Sequence, residues 1–556
     1  MRFRILGLLA LVLTLGFTIF LAGSLRAQQP APVALSGRVS SSAEGPMEGV
    51  DVTARASGST IAVTVITDEH GIYRFPASHL APGAYGLTIR AAGYVLPKAA
   101  HVAVAPGSSA HLDLPLAKTN DLEDQMSNGD WLISMPGTLE QKNNLLQCVD
   151  CHTLQRVVDS YHTAAEFKNI VLPRMVNYAN NSFWLRPQAF KTARPRPPFP
   201  DEVADYLASI NQSAGPRKWA LKTLPRLKGA ATHVIITQYD LPTHLVQPHD
   251  VIQTPDGMIW YSDFGQQNIG MLDPKTGKVT QYAVPANKPG YITGELEIDQ
   301  DPDGNLWLAN MFQGQIDRFD RKTKTFTTYP VPPATHPDFT QESMVMPLHS
   351  NVDGKVWTNN QDDHSFRGLD VKTGTFESMG PYYYPGSTTH TFNAYGIVSD
   401  SANTLWLMDF GGAAIAHFVP ATNTFKIIQT PTPLSHPRRG RVDDRTGLFW
   451  FAEYGANRIG MYDTKADDGT IKEFEMPTPF DSPYDVVADK NGDVWAGSMV
   501  TDRIQRLDPS TGRISEWQLP TDTNTRRVWA DNTKSTVTFW TGSNHGAAIV
   551  HLEPLP

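Results

Sequence analysis

From residue 233 onward, apolar and polar residues alternate in short runs, and each run ends in a Gly, Pro, Asn or Asp turn. Period-two alternation with that punctuation predicts short antiparallel strands. A tryptophan recurs at positions 260, 307, 357, 406, 450, 495 and 540, at intervals of 44 to 50 residues. Each stands in a strand-like stretch: "MIWYSD", "NLWLAN", "KVWTNN", "TLWLMD", "LFWFAE", "DVWAGS" and "TFWTGS". A hairpin turn such as "PDG", "VDG" or "KNG" precedes many of them. After them come a second apolar strand ("NIGMLD", "RIGMYD", "RIQRLD"), a "KTG" or "STG" turn, and a strand ending "QYAVP", "TYPVP", "EFEMP" or "EWQLP". Four strands per repeat, seven times, predict a seven-bladed β-propeller over residues 233–556. The seventh repeat stops after its third strand ("AAIVHLEPLP"), whereas "VIITQYDLP" at 234–242 reads as a fourth strand with no repeat before it. Pairing of these two ends is expected to latch the ring and leave no open sheet edge.

Upstream the pattern changes twice. Residues 34–118 alternate in "LSGRVSSS", "EGVDVTARA", "TVITDEHGIYRF", "GAYGLTIRAAGY" and "AHLDLPL", which predicts a small antiparallel β-sandwich. This arrangement, and the "TDEHGIYRF" turn above all, resembles the carboxypeptidase regulatory-like, transthyretin-like module; the resemblance implies an accessory spacer or adhesion domain. Residues 121–214 switch to helical spacing. "TAAEFKNIVLPRM" opens with a capping box, Thr163 to Glu166, and is expected to stop near Pro173. "DEVADYLASIN" sets Val203, Tyr206, Leu207 and Ile210 on one face. The chain therefore reads as multidomain and mainly β: a small sandwich, a small all-α domain, and a propeller closed by an N-terminal strand.

The first 27 residues have a basic start, "MRFR", an apolar run, "ILGLLALVLTLGFTIFLAG", and then "SLRA". They read as a secretory signal cleaved after Ala27, with an uncleaved anchor as the alternative because the apolar run is slightly long. No later segment is apolar enough to span a bilayer. The mature protein is expected in the periplasm or otherwise exported. Its 42 Gly and 42 Pro suit a turn-rich globular chain. The formal charge of −9, which falls to −12 without Arg2, Arg4 and Arg26, gives no footprint for nucleic acid.

Both cysteines of the chain lie in "CVDCH", Cys148 to His152. This is the spacing of c-type haem attachment: two thiols one turn apart form thioethers with the haem vinyl groups, and the adjacent His152 becomes the proximal iron ligand. A CxxC disulfide is the alternative that an exported compartment permits. Met175, in "LPRMVNYA" after an expected helix break, is the first choice for the distal iron ligand, and His162 is the rival. The region resembles a class I cytochrome c, with CxxCH at one end and the "DEVADYLASIN" helix at the other.

In an antiparallel four-stranded blade, the start of the innermost strand and the end of the second strand share one face of the disc. The first position offers His249, Glu295, Leu348 or His349, Tyr395, Arg439, Tyr484 and Arg527. The second offers Asp263, Asn310, Asn360, Asp409, Glu453, Ser498 and Ser543. These positions vary between blades while the tryptophans and turns repeat, so the ring is expected to bind a small organic substrate or cofactor. The density of charge in Arg438–Arg439 and Arg526–Arg527, beside His249, Asp409 and Glu453, favours a site over mutual satisfaction.

"PHDVI…DGMIWYSDFGQQNIGMLD" and "GLFWFAEYGANRIGMYD" resemble blades of the streptogramin B (virginiamycin B) lyase family. That resemblance implies an Mg²⁺-dependent elimination that opens a cyclic ester, with histidines in "PH" motifs and glutamates after the blade tryptophan. His249 matches the first and Glu453, as an Mg²⁺ ligand, the second. Asp263 replaces the glutamate in the blade of His249, and Arg439 and Tyr484 stand where histidines would flank Glu453. Two functions follow: a haem oxidoreductase or electron-transfer protein serving an exported redox partner, with catalysis around His249, Glu453, Arg439 and Asp409 and a pocket of Asp263, Glu295, Tyr395, Tyr484 and Arg527; or a lyase with an accessory cytochrome.

Overall fold

The computed structural model describes residues 32–181, 187–191 and 199–556. The expected signal sequence lies outside these residues. Six four-stranded antiparallel sheets follow one another from Pro248–Gln253 to Arg513–Gln518. Their innermost strands, from Pro248–Gln253 to Pro483–Ala488, neighbour one another in turn, and Thr525–Asp531 of the seventh blade returns to the first. The seventh blade takes its fourth strand from Val234–Asp240, antiparallel to Ala548–Pro554, with Val234 opposite Pro554 and Asp240 opposite Ala548. The two ends latch as expected.

The ring does not end at that latch. The other edge of Val234–Asp240 pairs with Ile61–Ile66 of the N-terminal sandwich, Ile235 opposite Val65 and Tyr239 opposite Ile61. Blade seven thereby runs on into an eight-stranded sheet. An edge strand offers a row of unpaired backbone donors and acceptors, and the sandwich occupies it. Arg90 reinforces the join, donating to Asp502 and to the Leu519 carbonyl, both at 2.7 Å. Within the sandwich, Asp68 accepts from the amides of His70 and Ile72, and Gly71 at φ +72° lets the Val39 carbonyl pass 2.5 Å from where a Cβ would stand.

The repeated tryptophans are all buried, at 3% exposure or less. In three blades the indole N–H donates to an aspartate six residues earlier: Trp307 to Asp301 at 2.9 Å, Trp406 to Asp400 at 3.2 Å, Trp495 to Asp489 at 2.9 Å. The same aspartate accepts the amides of its hairpin turn, as Asp301 does from Asp303 and Asn305. One acid thus ties the turn to the core residue, which satisfies a buried donor that otherwise costs stability.

Between sandwich and ring lie short helices. Ala164–Glu166 carries the Thr163–Glu166 capping box as expected. The expected stop at Pro173 does not occur: a π-turn over Phe167–Val171 leads into Leu172–Met175. Pro173 falls in the first turn of that last segment, directly after the π-turn. Met175 therefore closes the helical run rather than following a break in it. Asp201–Ile210 buries Val203, Tyr206, Leu207 and Ile210 as its spacing requires. One apolar cluster joins Leu145, Leu146, Val149 and Leu154 of this region to Phe264, Tyr454, Tyr484 and Met499 of the propeller. Among the described residues no helix is long and apolar enough to cross a membrane.

Candidate functional site at the propeller mouth

Six of the seven innermost strands slip register, all within their first residues, that of Glu342–Met346 around Ser343 and Met344. The slips enclose His249 and Asp250, Tyr395, Arg438 and Arg439, Tyr484, and Arg526 and Arg527. Bulges re-aim side chains, and here they turn them toward the channel axis or the mouth. Two consecutive arginines consequently diverge in role.

Arg439 and Arg527 enter the channel. Arg439 grips Asp250 at 2.6 and 2.8 Å and Glu297 at 2.8 Å. Arg527 reaches Asp250 at 3.1 Å, Glu297 at 3.0 Å and Asp299 at 3.0 Å. Arg441 lies 3.3 Å from Asp485. Three guanidiniums thus face four carboxylates. Burial pushes Glu297 up to about 7 against the pull of Arg439 and Arg527, so the surplus acid can hold a proton. Asp250, although buried, is held well below the carboxylate range by Arg439 and His249. His249 Nδ1 lies 2.7 Å from Asp250 and Nε2 lies 3.1 Å from the Tyr484 hydroxyl, which bonds Tyr395 in turn. Burial lowers His249 to about 3, so it is neutral in ordinary buffers.

Arg438 and Arg526 face the other way, onto the segment that carries the cysteines. Arg438 Nη2 donates to Asp150 Oδ1 at 3.2 Å, and Arg526 Nη2 to the Asp150 carbonyl at 2.9 Å. Asn524 donates to the Val149 carbonyl at 2.9 Å and Tyr454 to the Leu146 carbonyl at 3.2 Å. These carbonyls belong to the short helix Asn144–Asp150, and those of Val149 and Asp150 close it, where carbonyls need external donors. "CVDCH" is therefore seated on the propeller mouth.

Cys148 and Cys151 are half-buried and form no disulfide. Burial, and then Asp150, push the Cys148 thiol up to about 12. Cys151 Sγ lies 3.6 Å from the Asn180 carbonyl. His152 Nδ1 lies 2.8 Å from the Thr153 carbonyl, which can only accept, so Nδ1 carries the proton and Nε2 keeps its lone pair. Burial lowers the His152 pKa, which favours the neutral ring. Met175 is half-buried against the same apolar cluster as Cys148, whereas His162 is exposed.

The positions after the tryptophans serve mainly the loops. Asp263 accepts from the amides of Gln247 and Gly265, and Asp409 from those of Asn393 and Gly411. Glu295 accepts from Gln267 at 3.1 Å, while Glu297, two residues on, takes the channel position. Glu453 is fully buried and faces a second acid, Glu473. Burial, then Glu473, push it up to about 9, so it is protonated at neutral pH. Among the described residues no three His, Cys, Asp or Glu side chains are grouped to hold a metal ion. Sequence reading missed Asp250, Glu297, Asp299 and Asp485; the available signal was an acid adjoining the "PH" of "PHDVI" and the acids of "GELEID".

Residues 34–117 match the carboxypeptidase regulatory-like domain, and residues 385–554 match the virginiamycin B lyase family. No curated protein matches the chain. Solved structures similar to it include virginiamycin B lyase from Staphylococcus aureus, 21% identical over 58% of this chain and 99% of the lyase, with a TM-score of 0.49. A streptogramin B lyase is 22% identical over 59% of this chain and 99% of its own, with a TM-score of 0.47. The extracellular domain of a one-component system from B. thetaiotaomicron is 14% identical over 57% of this chain and 39% of its own, with a TM-score of 0.43. The chain thus combines a carboxypeptidase regulatory-like domain with a propeller whose last four blades carry the virginiamycin B lyase family match.

Proposed function

We propose that this protein is an exported c-type haem protein, an oxidoreductase or electron carrier, with haem attached through Cys148 and Cys151 and ligated by His152. The observation that carries this reading is the protonation of His152: the Thr153 carbonyl fixes the proton on Nδ1 and leaves Nε2 as the ligand atom. Two unbridged thiols three residues apart complete the donor set. In this reading Met175 would supply the second iron ligand, because it packs half-buried against the same apolar cluster as Cys148 while His162 is exposed. A bound haem supplies reversible one-electron transfer, and a thioether ligand raises its potential.

The chain's own residues set the surroundings. Leu146–Asp150 covers the propeller mouth, so the network of His249, Asp250, Arg439 and Arg527 acts as a rigid floor rather than an open pocket. Small molecules approach instead by a cleft of about 480 Å³ that is lined by Arg90, Thr153, Asp522 and His545 and adjoins the motif. An exported redox partner would exchange electrons with a haem held there. Expression in a strain competent for cytochrome c maturation tests this: Soret and α bands and in-gel covalent haem are expected, and are lost in Cys148→Ser/Cys151→Ser. Absence of covalent haem in the unaltered protein overturns the reading.

The family match over residues 385–554 favours a second reading, an Mg²⁺-dependent virginiamycin B lyase-like elimination using Glu453 and His249. His249 is a weak base where it stands, since burial lowers it to about 3. Mg²⁺-dependent opening of a streptogramin B ring, lost in Glu453→Gln and His249→Ala, is its test. No turnover removes it.

A further inference from the structure

Two arginines beneath the cysteine motif hold the same residue, Arg438 by the Asp150 carboxylate and Arg526 by its backbone carbonyl. Arg438 and Arg526 are 4% and 2% exposed. Among the described residues the only carboxylate paired with Arg438 is Asp150, at 3.2 Å, and Arg526 pairs with none. Arg438 is enclosed instead by aromatic faces, its guanidinium carbon 4.1 Å from the Tyr484 ring centre, 4.5 Å from Phe410 and 4.6 Å from Tyr454. Arg526 lies 5.1 Å from Phe264 and 5.6 Å from Tyr484. Ring faces stabilise a cation without cancelling its charge. The contrast with Arg439 and Arg527, one residue along, is complete: those two are matched by Asp250, Glu297 and Asp299. Burying a guanidinium with half the counter-charge it needs is costly, and the fold does so on the side of the ring that faces "CVDCH".

We infer that Arg438 and Arg526 are positioning residues for the haem: they fix the attachment segment through Asp150 and hold a net positive charge beneath it that raises the reduction potential. This rests on the haem reading above. A positive charge close to the iron stabilises the reduced state, which carries one positive charge fewer than the oxidised state. Because both arginines are buried, bulk salt screens them little. Asp150 tempers the effect, since its carboxylate offsets one of the two charges.

The opposed signs provide the test. The midpoint potential is measured by spectroelectrochemistry on the full-length haem-loaded protein, with covalent haem and α-band position recorded for each variant. Arg438→Gln is expected to shift the potential negative, Asp150→Asn to shift it positive, and Arg438→Lys to restore most of the unaltered value. Loosening of the segment would move Gln and Asn variants in the same direction, so shifts of one sign, or none, overturn the inference. Should Arg438→Gln fail to fold, Arg526→Gln against Asp150→Asn makes the same comparison. Absence of covalent haem in the unaltered protein is a different outcome, and it removes the underlying reading instead.

Discussion

His249 of the first blade and Tyr484 of the sixth meet across the channel, with Nε2 3.1 Å from the hydroxyl and both side chains buried. Their proton order is determined by what lies behind them. Asp250, gripped by two arginines, is an acceptor only, so His249 Nδ1 donates to it. Nε2 must then accept from Tyr484, and Tyr484 accepts from Tyr395. The chain of bonds runs one way, from Tyr395 to Asp250.

That order predicts unequal effects of two similar substitutions. Tyr484→Phe removes the donor to a buried imidazole and the acceptor of Tyr395, and is expected to cost about 2–3 kcal/mol. Tyr395→Phe removes only the terminal donor and is expected to cost about 1 kcal/mol. Urea unfolding midpoints report the difference, and equal losses contradict the order.

Asp250 serves both channel arginines and His249. Asp250→Asn leaves Arg439 and Arg527 under-compensated in a dry interior, and a loss of about 3–5 kcal/mol is expected. Thermal melts of the variant measure it; a near-neutral result shows that Glu297 and Asp299 suffice.

The aspartates that bind indoles are expected to matter more than their counterparts in blades that lack the bond. Asp301→Ala strips acceptors from the Asp303 and Asn305 amides and from Trp307, for a loss of about 2–3 kcal/mol. Thr254→Ala, at the matching place before Trp260, is expected to cost about 1 kcal/mol. Chemical denaturation of the pair compares them directly.

Glu453 makes stability depend on pH. Its folded pKa of about 9 lies above its ordinary 4.5, so the folded protein binds the proton more tightly than the unfolded chain. This contribution is greatest below the ordinary value and is lost as pH rises through the folded one. Glu453→Gln abolishes it, so the variant should gain on the unaltered protein by on the order of 1 kcal/mol per pH unit from about pH 5 to about pH 9. A stability difference that stays flat over that range rules out a raised Glu453.

The blades were readable in advance because their cause is local. The seven tryptophans, the hairpin turns and the unpaired strand at 234–242 each express a short-range rule, and the latch of Val234–Asp240 against Ala548–Pro554 follows from them. The capping box at Thr163 was equally local, but the stop at Pro173 was not, because a π-turn absorbed the proline. The channel proved harder. His249, Tyr395, Arg439, Tyr484 and Arg527 do meet there, yet the acids that complete the network sit one to four residues from where blade counting put them: Asp250 and Asp485 adjoin bulged strand starts, whereas Glu297 and Asp299 lie along the one innermost strand without a slip.

By itself, the sequence determined the repeating ring, its closure, the regulatory-like sandwich and the spacing of two thiols before a histidine, since periodicity and turn chemistry act over a few residues. Only the tertiary structure decided that the sandwich extends the seventh blade, that Arg438 and Arg439 face opposite ways, and that "CVDCH" is seated on the mouth. Those outcomes depend on contacts between residues hundreds of positions apart, such as Arg438 with Asp150, and no local pattern encodes which buried charge will find which partner.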